Sequence, residues 1–246
     1  MQAYRRLPPA DQRRPCALTI GNFDGVHRGH RAIIERLVAH ARAHGLASGV
    51  LTFEPHPREY FAHKGIGRAP SRISTLRDKL SALADLGLDH VNIAHFNDDL
   101  ARQPAESFIE DLLIKGLQVR HLIVGDDFCF GAGRRGDIPL LERFARERAG
   151  TAEAFEVVTM PTVLEDTARI SSSAVRTALE AGELDQAACL LGRPYCISGH
   201  VVHGRKLGRQ LGFPTLNLRI PFDRPAVAGI YAVRIHGLPL SASGED

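Results

Sequence analysis

Leu18-Thr19-Ile20-Gly21-Asn22-Phe23-Asp24-Gly25-Val26-His27-Arg28-Gly29-His30 is the stretch that decides the fold. Ala17 to Ile20 is a short apolar run of strand type, and Gly21 breaks it. From Arg31 the period changes: Ile33, Ile34, Leu37, Val38 and Ala41 share one helical face, which ends at Gly45. His27 and His30 therefore sit where a buried strand turns into a helix. The N–H groups at such a helix start are unpaired and carry partial positive charge, which suits phosphate. Gly25 and Gly29 let backbone approach a ligand with no Cβ in the way. Two imidazoles three residues apart on the first turn point to one anion, so the stretch reads as a nucleotide-phosphate site. His-x-x-His is also a zinc-ligand spacing, but Cys16 is the one nearby cysteine and no Glu separates the histidines.

Working outward, Ala47 to Phe53 is a second strand-like run that opens into Glu54-Pro55-His56-Pro57. Thr75-Leu76-Arg77-Asp78 has capping-box spacing, followed by a helical stripe of Leu76, Leu80, Leu83 and Leu86 that Gly87 stops. Val91 to Phe96 reads as strand. Pro104 starts a helix that buries Phe108, Ile109, Leu112 and Leu113 and ends at Gly116. Val119 to Val124 is a further strand, Asp137 caps a helix begun by Pro139, and Val157-Val158 lies in another strand. This alternation predicts an α/β fold with a parallel, doubly wound sheet, whose ligands bind at the C-terminal strand edge. Near Gly192-Arg193-Pro194 the character shifts. Tyr195 to His203 and Gly229 to Ile235 are β-rich, predicting a second domain of β-barrel type. The expected division is a tail over 1–15, a first domain over 16–191 and a second over 192–246.

The 246 residues suit one large domain or two smaller ones. A net charge of +3, from 31 basic and 28 acidic residues, gives no strong field to attract nucleic acid. Cys16, Cys129, Cys189 and Cys196 form no Cys-x-x-Cys pair, which predicts reduced thiols in the cytoplasm. No apolar run is of membrane-span length, and residues 1–15 hold no signal-peptide core.

Three more strings carry chemistry. Prolines on both sides of His56 restrict its backbone and would hold the imidazole in place. Gly131-Ala132-Gly133-Arg134-Arg135-Gly136 spells a dinucleotide fingerprint, but Asp126 to Phe130 separate it from the strand ending at Val124, so it does not read as one. It reads as a basic loop, either solvated or reaching a substrate phosphate. In Arg169-Ile170-Ser171-Ser172-Ser173-Ala174-Val175-Arg176, Ser172 or Ser173 can cap the helix through Val175 and Leu179. Their hydroxyls and N–H groups could also hold phosphates, with Arg169 or Arg176 adding fixed positive charge.

The string Gly-Asn-Phe-Asp-Gly-Val-His resembles the first signature of the nucleotidylyltransferase superfamily in its bacterial bifunctional riboflavin kinase/FAD synthetase form. Thr52-Phe53-Glu54-Pro55-His56-Pro57 and Gly125-Asp126-Asp127-Phe128-Cys129-Phe130-Gly131 are similar to that family's second and third loops. Ile170-Ser171-Ser172-Ser173-Ala174-Val175-Arg176 is similar to its second phosphate motif. Gly199 to Leu218 resembles the riboflavin-kinase module, with Pro214-Thr215-Leu216-Asn217 in place of its Pro-Thr-Ala-Asn, and Gly229-Ile230-Tyr231-Ala232-Val233 matches its next strand.

The resemblance implies transfer of AMP from ATP to FMN, giving FAD and pyrophosphate, with an appended module for riboflavin phosphorylation. His27 and His30 would take the α- and β-phosphates, while Ser172, Ser173 and Arg169 hold the leaving end. Gly21, Phe23, Asp24, Gly25, Gly29, Asp127 and Arg176 would bind the nucleotide. His56, Pro57, Asp126 and Phe128 are the flavin-side candidates. Gly199, His203, Gly204 and Gly208 would form the kinase ATP loop, and Thr215 and Asn217 would bind Mg²⁺. Beyond Ile235 the kinase barrel is expected to be incomplete, with kinase activity impaired and self-association through open strand edges. A transferase for another acceptor and a flavin-binding protein with a degenerate site are the competing readings.

Overall fold

The computed structural model describes residues 1–161, 164–165, 168–204, 212–213, 215–222 and 224–237. Its centre is a six-stranded parallel sheet in the order β1-β4-β3-β2-β5-β6. The strands are β1 (Gln2–Tyr4), β2 (Cys16–Ile20), β3 (Ala47–Glu54), β4 (His90–His95), β5 (Val119–Gly125) and β6 (Glu156–Met160). All five residues of β2 are buried, as a strand covered on both faces requires. From β2 the chain moves through β3 to β4 on one side, then crosses to place β5 on the other side of β2. The order therefore reverses at β2 and β5, and the crevice above their C-terminal ends is where such a sheet takes a ligand.

Helices cover both faces. α1 (Arg28–Ala43) and α3 (Leu76–Ala84) pack Ile34, Leu37, Val38 and Leu83 against Ala17, Val50, Val91 and Ile123. On the other face, α5 (Ala105–Ser107) runs into a π-helical segment (Phe108–Gly116), and α6 (Ile138–Glu147) packs beside it. Phe108, Ile109, Leu113, Leu141 and Phe144 there meet Cys16, Leu18 and Ile20. Thr75 caps α3 in a capping box with Asp78, and Asp137 caps α6, both as the spacing predicts. Two short helices lie in loops, α2 (Pro57–His63) and α4 (Asp98–Arg102).

After β6 come the short hairpin strands β7 (Leu164–Glu165) and β8 (Ala168–Arg169), then α7 (Ser172–Glu180) and α8 (Leu184–Leu191). α8 closes on Gly192 in the left-handed region, at φ 71°. Beyond it, β9 (Val201–Val202) pairs antiparallel with β10 (Asn217–Leu218). This small antiparallel sheet is the β element that the β-rich composition predicts. Gly229 to Ile235 forms no strand, a correction to that reading. Residues 224–226 instead lie against the loop before α3: Arg72 N donates to Arg224 O, Ala226 N donates to Arg72 O, and Ala226 is buried beside Ile73 and Val175.

The segment 1–15, expected as a tail, supplies β1, which pairs with β4 in the register Gln2↔His90. The glycine-rich run after β5 is a turn, with Phe130 paired to Gly136 and Gly131 packed onto Ala105. It is not a strand–helix junction, which is why it cannot serve as a dinucleotide fingerprint. Among the described residues no helix is long and apolar enough to cross a membrane.

Candidate active site

The loop from Gly21 to His27 leaves the end of β2 and is held in an unfavourable shape. Phe23 and Val26 adopt positive φ angles of 48° and 43°, although neither is glycine, and Gly25 sits at φ 84°. Such backbone persists only where its surroundings determine it. Here side chains from distant segments bind its carbonyls. Thr52 Oγ1 donates to Asn22 O at 3.2 Å, Ser172 Oγ to Asp24 O at 3.0 Å, and Arg193 to Gly25 O at 2.6 Å and Val26 O at 3.0 Å. Gly25 N in turn donates to Ser74 Oγ at 3.1 Å.

His27 ends the loop and caps α1: its Nδ1 accepts from His30 N at 3.3 Å. In the neutral ring the proton then lies on Nε2, leaving that N–H to donate. The His30 ring stacks on His27 at 3.6 Å with an interplanar angle of 17°, and its other side meets Phe23 at 4.9 Å. A Cβ on Gly29 would stand 3.2 Å from the His27 ring, so glycine there makes room for the imidazole. Burial, with Arg176 next, pulls His27 down to about 4; burial, then His27, holds His30 well below its ordinary value. Both rings are therefore neutral donors near pH 7. His30 Nδ1 is buried with no protein partner, so this ring can still meet a ligand.

The second phosphate motif arrives at the same place. Ser171, not Ser172 or Ser173, caps α7, its side chain accepting from Ala174 N at 3.2 Å. Ser172 is the first helical residue and ties α7 to the loop through Asp24 O, while Ser173 is exposed. Ile170 O would lie 3.4 Å from a Cβ on Gly29, so the starts of α1 and α7 converge. Their dipoles and N–H groups face one crevice, an arrangement that favours a polyanion. Arg169, just before Ser171, is exposed and pairs with Asp127 at 2.6 Å, which brings the third loop to the same rim. Asp126 is exposed there, and Phe128 stacks on Phe130 at 5.4 Å.

Four residues expected to bind the nucleotide, Asp24, Arg176, Gly21 and Phe23, have partners within the protein. Asp24 is 1% exposed and accepts from Ile73 N, Ser74 N, Ser74 Oγ and Arg176 Nη2, the last at 2.7 Å. Burial pushes its carboxyl up, but Arg176 and Arg72 outweigh that and hold it below the usual range. Arg176 is spent on Asp24 and on Ser71 O at 2.7 Å. The open space at Gly21 is filled by the Phe23 ring, 3.1 Å from where a Cβ would stand, and Phe23 itself is buried. These residues position the loop.

Sequence reasoning missed the charged layer beneath. Arg72, 3% exposed, donates to Glu59 at 2.8 Å and Glu54 at 3.1 Å, and Lys79, 2% exposed, lies 3.8 Å from Glu54. Asp24, Glu54 and Glu59 thus face Arg72, Lys79 and Arg176. A signal for Lys79 existed, since it falls on the apolar stripe of α3 beside Leu76, Leu80 and Leu83. Arg72 had none. His56 belongs to this layer as well. It caps α2, accepting from Arg58 N at 3.1 Å while its own N–H donates to Glu59, and Pro57 occupies the first turn. Two of the four flavin-side candidates, His56 and Pro57, therefore form a helix start, which Pro at the first position and Glu59 could have announced.

In the second module Gly199, His203 and Gly204 are described, while Gly208 lies outside the described residues. A Cβ on Gly204 would stand 2.4 Å from the Asn217 amide, so the glycine loop and Asn217 are neighbours, and Thr215 is exposed nearby in sequence.

Comparison with known proteins agrees with both halves. The FAD synthetase family model matches residues 10–174, and the riboflavin kinase model matches 191–241. The bifunctional riboflavin kinase/FMN adenylyltransferase of Escherichia coli (strain K12) is 48% identical over 223 residues, covering 91% of this chain and 69% of that protein. Its counterpart in Haemophilus influenzae is 44% identical over 236 residues, covering 96% and 74%. A solved structure described as a macrolide-efflux protein from Streptococcus pneumoniae aligns with a TM-score of 0.71, covering 92% of this chain and 70% of its own. At 24% identity that likeness shows the fold alone. The chain belongs to the bifunctional riboflavin kinase/FMN adenylyltransferase family.

Proposed function

We propose that the crevice at the starts of α1 and α7 transfers AMP from ATP to FMN. The observation that supports this most is the neutral, stacked His27–His30 pair placed on the N-terminus of α1 and facing that of α7. An oxygen of the FMN phosphate attacks the α-phosphorus of ATP. The bond from that phosphorus to the α,β-bridging oxygen breaks, and pyrophosphate leaves with the electron pair. The attacking phosphate is already ionised, so no protein base is required. Catalysis is then positioning plus neutralisation of charge on the leaving group. His27 Nε2–H and the His30 ring donate to the α- and β-phosphates. Ser172, Ser173 and Arg169 take the pyrophosphate end, Arg169 exchanging Asp127 for phosphate. Asp24, Arg176, Arg193 and Ser74 hold the loop in its strained shape.

Mg²⁺ on the triphosphate would lower the charge repelling the incoming FMN. In the second module, matched to riboflavin kinase, the side chains of Thr215 and Asn217 offer the neutral oxygens that a hard cation takes, beside the glycine loop. Phosphorylation of riboflavin is proposed for that module. A cytoplasmic setting is part of the same reading, supported by four cysteines that form no disulfide.

His30→Ala removes one preorganised donor and should lower kcat about 100- to 1,000-fold, roughly 2.7–4 kcal/mol of transition-state stabilisation. FMN affinity should persist, because this reading assigns the flavin to the loops of His56 and Asp126 and not to this ring. Steady-state turnover together with flavin fluorescence titration reads both, and near-full turnover would remove His30 from the mechanism. Offering nicotinamide mononucleotide or phosphopantetheine in place of FMN distinguishes this reading from a transferase for another acceptor, which would use them at comparable rates.

A further inference from the structure

α1 starts at the C-terminal edge of β2 and runs back across the sheet, so its last turn arrives near the starts of β5 and β6. His40 lies in that turn. His121 on β5 is in register with Glu156, the first residue of β6. Side chains alternate along a strand, so His121 shares the face of Ile123 and Glu156 that of Val158, both of which pack on the α1 side of the sheet. The fold therefore delivers two imidazoles and a carboxylate to one point. The His40 and His121 rings stack at 3.4 Å with an interplanar angle of 13°, and His121 Nδ1 is 3.0 Å from Glu156 Oε2. One ligating atom from each of the three lies within 4.8 Å of the others.

We propose that His40, His121 and Glu156 bind a divalent transition-metal ion, with zinc the best chemical match. Imidazole nitrogen and carboxylate oxygen bind zinc at about 2.0–2.2 Å, so the ligand atoms of a tetrahedral site stand roughly 3.3–3.6 Å apart. The 3.0 Å spacing of His121 and Glu156 is already near that value. The wider gaps close by side-chain rotation of His40, half-buried at the end of α1, and of Glu156, which is 65% exposed. Magnesium and calcium prefer all-oxygen sites, whereas imidazole suits zinc, copper and nickel. His44 stacks on His40 at 4.0 Å and donates through Nδ1 to His40 O, which steadies the turn. The ion clamps the C-terminal end of α1 to β5 and β6, at the sheet edge opposite the nucleotide crevice, and so acts as a structural clip.

Zinc chloride titrated into the full chain in competition with a chromophoric chelator should reveal one zinc per chain at this cluster and raise the melting temperature. Cobalt in its place should give the intense visible bands of a tetrahedral ion. His40→Ala and Glu156→Gln lie on the surface side and carry the test, because His121→Ala opens a buried position. Each should weaken zinc binding about 10- to 100-fold or more and abolish the melting shift. A His27→Asn/His30→Ala chain should keep the zinc. The proposal is overturned if the chelator strips the wild-type chain completely. It is equally overturned if both surface variants retain wild-type affinity, or if zinc is lost only with His27 and His30.

Discussion

Asp24→Asn should cost the folded protein about 3–5 kcal/mol, the scale of a buried ion pair deprived of one partner. The substitution keeps the shape of the side chain and removes its charge. Arg176, with a side chain 13% exposed, and Arg72, 4% exposed, would then face a neutral amide, with little water to compensate. Arg72 retains Glu54 and Glu59, so most of the loss falls on Arg176. The loop suffers too, since Asp24 orders Ser74, and Ser74 accepts from Gly25 N. Urea unfolding gives the cost from the midpoint at constant slope. Adding Arg176→Met to Asp24→Asn should restore part of the stability, with a coupling of about 0.5–3 kcal/mol for groups in direct contact. An Asp24→Asn chain of nearly wild-type stability that fails to bind ATP would mean that Asp24 contacts the nucleotide directly.

This prediction could not have come from the sequence, and the reason is physical. Gly21 to His30 announces itself because a change of period, a glycine and two histidines coincide at one junction. Strand–helix alternation likewise gave the parallel sheet, and a capping box marked the start of α3. Tertiary pairing of charges leaves no such trace. Nothing in the sequence pairs Asp24 with Arg176, 152 residues later. Three consecutive serines have equal capping propensity, and only the path of the chain into α7 selects Ser171. A three-residue edge strand such as β1 is too short to show a period. Gly229 to Ile235 has strand composition, yet composition cannot supply a partner strand, and the segment lies instead beside residues docked on the first domain.

Acid should destabilise the protein more steeply than its acidic residues would suggest. His27 is pulled to about 4 and His56 to about 3, in each case chiefly by burial. Unfolded, both take up protons near the ordinary value of about 6.5. Below that pH the unfolded chain binds more protons than the folded one, so stability falls as pH falls, from about 6.5 down to about 4 for His27 and about 3 for His56. At pH 5 each group contributes about 2 kcal/mol of loss, and the pair about 4 kcal/mol, equivalent to roughly 8–16 °C in melting temperature for a chain of this size. His30, also held low, acts in the same direction. Thermal melts from pH 8 to pH 5 read the slope. His27→Asn keeps a side-chain acceptor at the cap, since Asn is a favoured capping residue, and removes the titrating ring. It should flatten the profile by about one group's share. A wild-type profile level between pH 7 and pH 5 would mean that these rings are not buried in solution.

The central claim is that the crevice joins AMP to FMN rather than moving a terminal phosphoryl group. Its most direct test is to follow two labels, one on the α-phosphate and one on the γ-phosphate of ATP, in separate incubations of the chain with FMN and Mg²⁺. α-Label should appear in FAD and γ-label in pyrophosphate, in equal amounts, with both products slowed together in His30→Ala. α-Label absent from the flavin, or FAD formed at an undiminished rate without His30, would contradict it.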